Sequence, residues 1–289
     1  MNEQSSVAVN ELAYKKKEKH FKVKKGVALT VVWFFLILMY LPIVYLIIFS
    51  FTKSKVLGSW TGFSWDSYKQ LFSNRYPKSV ELWKATWNTI WVGVVASLLS
   101  TILGTAGAIG MHYLGKKLKN VFNLATQLPI VNAEIVMALS LVILFAFLKL
   151  PTSAFSLIIG HMVLTLPFVV TNVQPKLEQM DPSLYEAALD LGASRMGALF
   201  KVIIPDIAPG ILSGFMISMT LSLDDYVITA FTKPGKGENF DTLSTWVNGQ
   251  LSKGSLPISL RSFTAVLFII IVGAMIGYTI YNNKKAKRV

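Results

Sequence analysis

Apolar residues along the chain gather into six long windows, at about residues 27–50, 88–110, 124–148, 152–174, 207–232 and 262–281, with polar stretches between them. Each window holds roughly 20 or more residues almost without charge, which is the length an α-helix needs to cross a hydrocarbon core about 30 Å thick. The pattern predicts an all-α membrane protein with six transmembrane helices over residues 27–289. Residues 1–26 are polar and Lys-rich, with too few apolar groups to bury, and read as a mobile tail lying against anionic lipid. The first window is too long for a signal-peptide core and lacks a small-residue cleavage site after it, so it is expected to remain as a span.

Inside the windows, small departures from uniform apolarity predict local structure. Gly93, Ser97, Ser100, Gly104 and Ala108 recur every three or four residues in the second window, a face that lets another helix approach closely. The third window holds Pro129, Asn132 and Glu134, so its helix is expected to break there, and a break at membrane depth implies protein or a water-filled cavity around the freed backbone. Pro167 could kink the fourth span. Residues 174–201 read as two short helices. Asp181-Pro182 is a start signal, Ser183 with Glu186 forms an alternative capping box, and Leu184, Ala187, Ala188 and Leu191 mark one apolar face. Gly192 ends the first helix, Ser194 can cap the second, and Leu199, Val202 and Ile203 lead toward Pro205. In residues 233–261, Leu243, Trp246, Val247 and Leu251 stand at helical spacing and predict a short amphipathic helix over the outer mouth. Trp60, Trp65 and Trp246 read as interfacial anchors or docking contacts. No internal repeat or second soluble domain is visible.

A hydrophobic content of 53% and a mean hydropathy of +0.53 exceed what a soluble core of 289 residues requires. The net charge of +13 does not point to nucleic acid, because Lys and Arg fall in loops and tails rather than on one basic face interleaved with aromatics. Lys15, Lys16, Lys17, Lys19, Lys22, Lys24 and Lys25 precede the first span, while Lys284, Lys285, Lys287 and Arg288 follow the last, which places both termini in the cytoplasm. Assigning the loops alternately puts 17 Lys or Arg inside and 11 outside. The absence of cysteine removes disulfides, thiolate metal sites and thiol nucleophiles. Phosphate-cradling, zinc-hydrolase and nucleophile-elbow patterns are also missing, so no catalysis is expected on this chain.

The inner segment reads Glu186-Ala187-Ala188, then Gly192, then Val202-Ile203-Ile204-Pro205. It resembles the EAA signature of permease subunits in binding-protein-dependent ABC importers, with matched spacing over about 20 residues and only Val for Ile and Ile for Leu. The resemblance runs from the second span to the end. It narrows toward polyamine (spermidine/putrescine) importer permeases on Glu134-Ile135-Val136-Met137-Ala138, Leu166-Pro167-Phe168-Val169-Val170, Asp190-Leu191-Gly192-Ala193-Ser194 and Ser222-Leu223-Asp224-Asp225. One departure is Asn132-Ala133-Glu134 where such subunits tend to show Ser-Pro-Asp. The resemblance implies a MetI-like fold of the type I importer class in a bacterial cytoplasmic membrane, surrounded by lipid. It implies a second homologous permease, a cytosolic ATP-binding subunit dimer that carries the ATP and Mg²⁺, and an extracytoplasmic polyamine-binding protein as partners, with no cofactor on this chain. Glu186, Ala187, Ala188, Gly192 and Pro205, in a loop spanning 181–205, would then couple the ATPase to the membrane.

Carboxylates within spans cost roughly 2.5 to 3.5 kcal/mol on insertion scales, so each must face a cavity or a partner. Polyamines are slender cations, apolar between their ammonium groups, and need spaced anions along a route. Glu134, Asp224 and Asp225 supply such anions, and with Ser222, which the resemblance adds through the Ser222-Leu223-Asp224-Asp225 motif, they are the candidate path residues. Asp224 and Asp225 point about 100° apart on a helix, so one is expected to line the path and the other to bind a neighbouring helix or backbone group. Glu134 could instead stabilise a resumed helix start or pair with His161, a residue that otherwise reads as helix packing. Two alternatives stand beside the polyamine permease: a permease for another small cation, and a proton-coupled transporter with Glu134, His161 and Asp224 as a relay. The relay leaves the EAA segment without a purpose.

Overall fold

In the computed structural model, which describes residues 3–54, 58–73, 75–235, 240–254 and 256–286, helices carry most of the described backbone and no strand forms among the described residues. Two compact units divide the chain, Met1–Ser79 with Pro257–Val289, and Val80–Leu256.

In the first unit, α1 (Glu3–Phe49) and α12 (Ile258–Ala286) are the long apolar helices, and α2 (Asp66–Leu71) is a short one packed against α12. The backbone of α1 is helical from Glu3, where the sequence predicts a mobile tail; only its Gly26–Phe49 part is apolar enough to cross a membrane. A knot of aromatic rings follows α1. Phe51 stacks on Phe63 at 5.6 Å, and Trp65 meets both edge-on. Ser67 donates to the Ser50 carbonyl, and Ser262 of α12 donates to the Ser67 carbonyl at 2.9 Å, so the knot is tied to both α1 and α12.

The second unit contains most of α3 (Pro77–His112), then α4 (Lys116–Val131), α5 (Glu134–Phe147), α6 (Ala154–Gln179), α7 (Pro182–Asp190), α8 (Arg195–Ala198), a π-helical turn (Leu199–Ile203), α9 (Ile204–Asp224), α10 (Val227–Thr232) and α11 (Leu243–Ser252). Lipid tails are as apolar as leucine, so helices in a bilayer associate by close packing and hydrogen bonds rather than by burial from water. The small-residue face predicted on α3 does this: Ser97, Ser100 and Ala108 are fully buried, Ser100 shares a 2.7 Å hydrogen bond with Thr165 of α6, and Gly104 lies against Val169. A Cβ at Gly104 would stand 2.8 Å from the branched carbons of Val169. Val169 also contacts Gly214 of α9, so one valine is seated between two glycines and draws three helices together. Around it, Ala108, Met111, Val173, Leu177, Ile203 and Ile207 form the larger core; Met137, Ala138, Leu141 and Phe145 of α5 form a smaller one with Leu164 of α6 and Ile228 of α10.

Among the described residues, five helices are long and apolar enough to cross a membrane, or six if the bent pair α4 and α5 counts as one span. The spans differ from their predicted limits in several places, three of which bear on the site. α3 starts at Pro77, eleven residues before the predicted boundary, because Pro fits a first helical turn and the polar Glu81 and Lys84 do not interrupt a helix. The third window bends by 107° after Val131, at the break that Asn132 and Ala133 make. The fifth window is two helices, α9 ending at Asp224 and α10 starting at Val227. Pro167, by contrast, lies inside an uninterrupted α6.

Candidate functional site

The 181–205 segment folds largely as its punctuation predicts. Asp181 caps α7, accepting from the Ser183 amide at 2.9 Å, with Pro182 at the first helical position. The Ser183 backbone bond, and then its side-chain bond, hold the Asp181 carboxyl below the usual carboxylate range. With Asp181 as the cap, the alternative box between Ser183 and Glu186 is not made. Glu186 is exposed in mid-helix without an ion pair among the described residues. The helix ends in a Schellman arrangement: Gly192 sits at φ +84°, its amide donates to the Leu189 carbonyl at 2.9 Å, and the Ala193 amide donates to the Ala188 carbonyl at 3.0 Å. A residue with a Cβ would be strained in that conformation.

The apolar face of α7 is turned differently from the prediction. Tyr185, Ala188 and Leu189 are half-buried toward the bundle, Tyr185 reaching the Tyr113 ring at 6.2 Å. Burial, and then the neighbouring Tyr185, push the Tyr113 phenol up. Leu184, Ala187 and Leu191 face outward, Leu191 being 89% exposed, and Met196 and Phe200 continue the patch. Ser194 caps α8 by accepting from the Gly197 amide at 3.1 Å. From Arg195 the chain runs without interruption through the π-helical turn into α9, a 30-residue apolar helix ending at Asp224. The π turn precedes Pro205, which has no amide to donate; the Ile204 amide reaches back to Leu199.

At the other end of that helix the two adjacent acids part. Asp224 is exposed and makes no ion pair among the described residues. Asp225 is buried, and its carboxylate takes the amides of Ile228 at 3.1 Å and Thr229 at 2.8 Å and the Thr229 hydroxyl at 2.8 Å, which starts α10. His161 of α6 lies beside it, with Nδ1 2.6 Å from Ser222 Oγ, Nε2 2.9 Å from Thr229 Oγ1 and 3.6 Å from Asp225 Oδ2. Gly160 gives α10 the room to approach: a Cβ there would stand 2.7 Å from Ile228 Cγ2. Ser222 is thus 2% exposed and committed to His161, so it does not share the open face of Asp224. Glu134 occupies the first turn of α5, exposed, directly after the break. The structure therefore brings His161, Ser222, Asp225 and Thr229 together and leaves Glu134 outside, so neither the Glu134–His161 pair nor the proposed relay is assembled.

The sequence offered no direct sign of Thr229. Its only available signal was general: a histidine and an acid pair in different spans each need a polar partner at membrane depth. α11 forms as expected, but it buries Thr245, Trp246 and Gln250, while Leu251 is exposed. Trp246 is no surface anchor. Its indole donates to Glu81 of α3 at 3.2 Å, beside a polar cleft of about 340 Å³ also lined by Lys84, Asn88, Lys233 and Asp241.

Residues 100–285 match the family described as "Binding-protein-dependent transport system inner membrane component". Curated relatives include the spermidine/putrescine transport system permease protein PotC of Haemophilus influenzae, 32% identical over 219 residues, covering 76% of this chain and 82% of that one. PotC of Escherichia coli (strain K12) is 28% identical over 266 residues, covering 92% and 96%. The putrescine transport system permease protein PotI of the same strain is 28% identical over 257 residues, covering 86% and 89%. With an all-helical fold, a motif-bearing corner continuous with a spanning helix, and a family match over most of its length, the chain belongs to the inner-membrane permease components of binding-protein-dependent ABC transport systems.

Proposed function

We propose that this permease imports polyamines, driven by a separate cytosolic ATPase dimer that carries ATP and Mg²⁺, beside a second permease and below an extracytoplasmic binding protein. Residues 181–205 and both termini lie on the cytoplasmic side in this reading. The observation that carries it is the corner itself: α7 turns Glu186 and Ala187 outward, Leu191 at its end is exposed, and from Arg195, three residues beyond Gly192, the backbone continues as one helix to Asp224. An apolar patch of this kind on a short, capped helix fits a groove on a soluble partner, where exposed apolar residues of a subunit are covered. Because Glu186 is not engaged in capping, its exposed carboxylate is available to that partner. Gly192 fixes the corner, and Pro205 follows the π turn through which movement reaches α9.

The names of the relatives, and the chemistry of two exposed carboxylates, support a cationic substrate of the spermidine and putrescine kind. Glu134, at the broken span, and Asp224, at the end of α9, are the path residues in this reading, while Asp225 and Ser222 belong to the scaffold. The test is uptake of radiolabelled spermidine into proteoliposomes holding the complete transporter. Asp224→Asn and Glu134→Gln each lower uptake about tenfold or more with the ATPase still bound, whereas Glu186→Lys leaves hydrolysis running without transport. Uptake by this chain alone, driven by a pH gradient without any ATPase, would reject the reading, as would unaltered kinetics in both acid variants.

A further inference from the structure

The polar cluster around His161 joins three helices, and its donors and acceptors can be counted. A carboxylate only accepts, so the Thr229 hydroxyl spends its one proton on Asp225 Oδ2 at 2.8 Å. His161 Nε2, 2.9 Å away, must then be the donor to Thr229 Oγ1. Nδ1 is left to accept from the Ser222 hydroxyl at 2.6 Å. With that arrangement each of these donors has an acceptor, and the Asp225 carboxylate holds three donors from the first turn of α10. The four side chains are between 0% and 7% exposed. From a further side, Ser244 of α11 donates to the Asp225 carbonyl at 2.7 Å, and Ser156 of α6 donates to the Thr232 carbonyl at 3.0 Å.

We propose that His161, Ser222, Asp225 and Thr229 act as a positioning clamp for Asp224. The proposal rests on the assignment of Asp224 to the polyamine path. Asp224 is the last residue of α9 and Asp225 is extended, at φ −61° and ψ 131°, so the backbone carrying the exposed carboxylate is pinned on one side by Ser222, two residues earlier, and on the other by Asp225 itself. A free helix end frays; this one is held to α6 through both ring nitrogens of one imidazole. A fixed carboxylate meets an ammonium group without first losing its own freedom, which strengthens binding without adding a contact. Two chain neighbours therefore divide one task, Asp225 anchoring the corner and Asp224 meeting the cation.

Thr229→Val keeps the side chain's shape and removes its hydroxyl, while Thr229→Ser keeps the hydroxyl. In proteoliposomes with the full transporter and saturating binding protein, Thr229→Val raises KM for spermidine about tenfold with kcat within about twofold, and Thr229→Ser restores it. Ser222→Ala removes only the Nδ1 donor and serves as the second variant should Thr229→Val fail to assemble; it raises KM in the same direction by a smaller factor. Unaltered KM in an assembled Val or Ala variant overturns the clamp, as does equal impairment of the Val and Ser variants, or a fall in kcat alone. Asp224→Asn, run in parallel, separates the two ideas. If it leaves KM unchanged the path assignment fails; if it raises KM while Thr229→Val does not, the clamp alone fails.

Discussion

Asp224 and Asp225 share a sequence environment and occupy opposite physical ones, because the chain leaves the helix between them. Their division was expected from the 100° step of a helix, but which acid turns inward was not, since that depends on where His161 and the α10 amides lie. The same contrast appears on α7, where periodicity picked out apolar positions and could not tell which faced the bundle. A residue-scale prediction concerns Asp181. Its folded carboxyl titrates below its unfolded value, so the stabilisation it gives α7 is complete above the ordinary carboxylate range and disappears as pH falls through the lower, folded value. Hydrogen exchange corrected for intrinsic rates should show α7 protection declining in acid for the wild-type chain, and an Asp181→Asn variant, whose cap cannot titrate, should show a flat profile.

Among elements, the helix most open to measurement is α3. Gly104→Ala gains roughly 1 kcal/mol of helix propensity but drives a methyl into Val169, and overpacking of this kind costs about 1–3 kcal/mol. The clash prevails because the atoms it meets are attached close to the α6 backbone. Gly107→Ala, one turn on and with open space around it, carries the propensity gain alone. Thermal unfolding in detergent should therefore rank Gly104→Ala below wild type and Gly107→Ala at or slightly above it. Spans, the α3 packing face, the break after Val131 and the two caps of the inner corner were legible because each is announced by local chemistry: apolar length, small-residue spacing, Pro and Gly placement. The division of the fifth window into α9 and α10 was not, since Asp225 begins α10 with a side chain whose hydrogen-bond partners lie three and four residues ahead and whose charged neighbour, His161, is on another helix.

For the whole molecule, sidedness is directly measurable, because the chain contains no cysteine. Leu191→Cys, at the most exposed large apolar residue of the corner, should react with an impermeant maleimide only in inside-out vesicles, and attachment of the ATPase should protect it. Labelling from the periplasmic face would invert every assignment made for the loops. The helix from Arg195 to Asp224 joins the corner directly to the exposed acid. Its 30 residues reach about 45 Å, so a tilt of about 10° at the lower end displaces the upper end by about 8 Å, more than the length of a salt bridge. In the proposed import cycle, release of cargo is then tied to the motor's own movement, because the Asp224 carboxylate shifts with the helix that carries it.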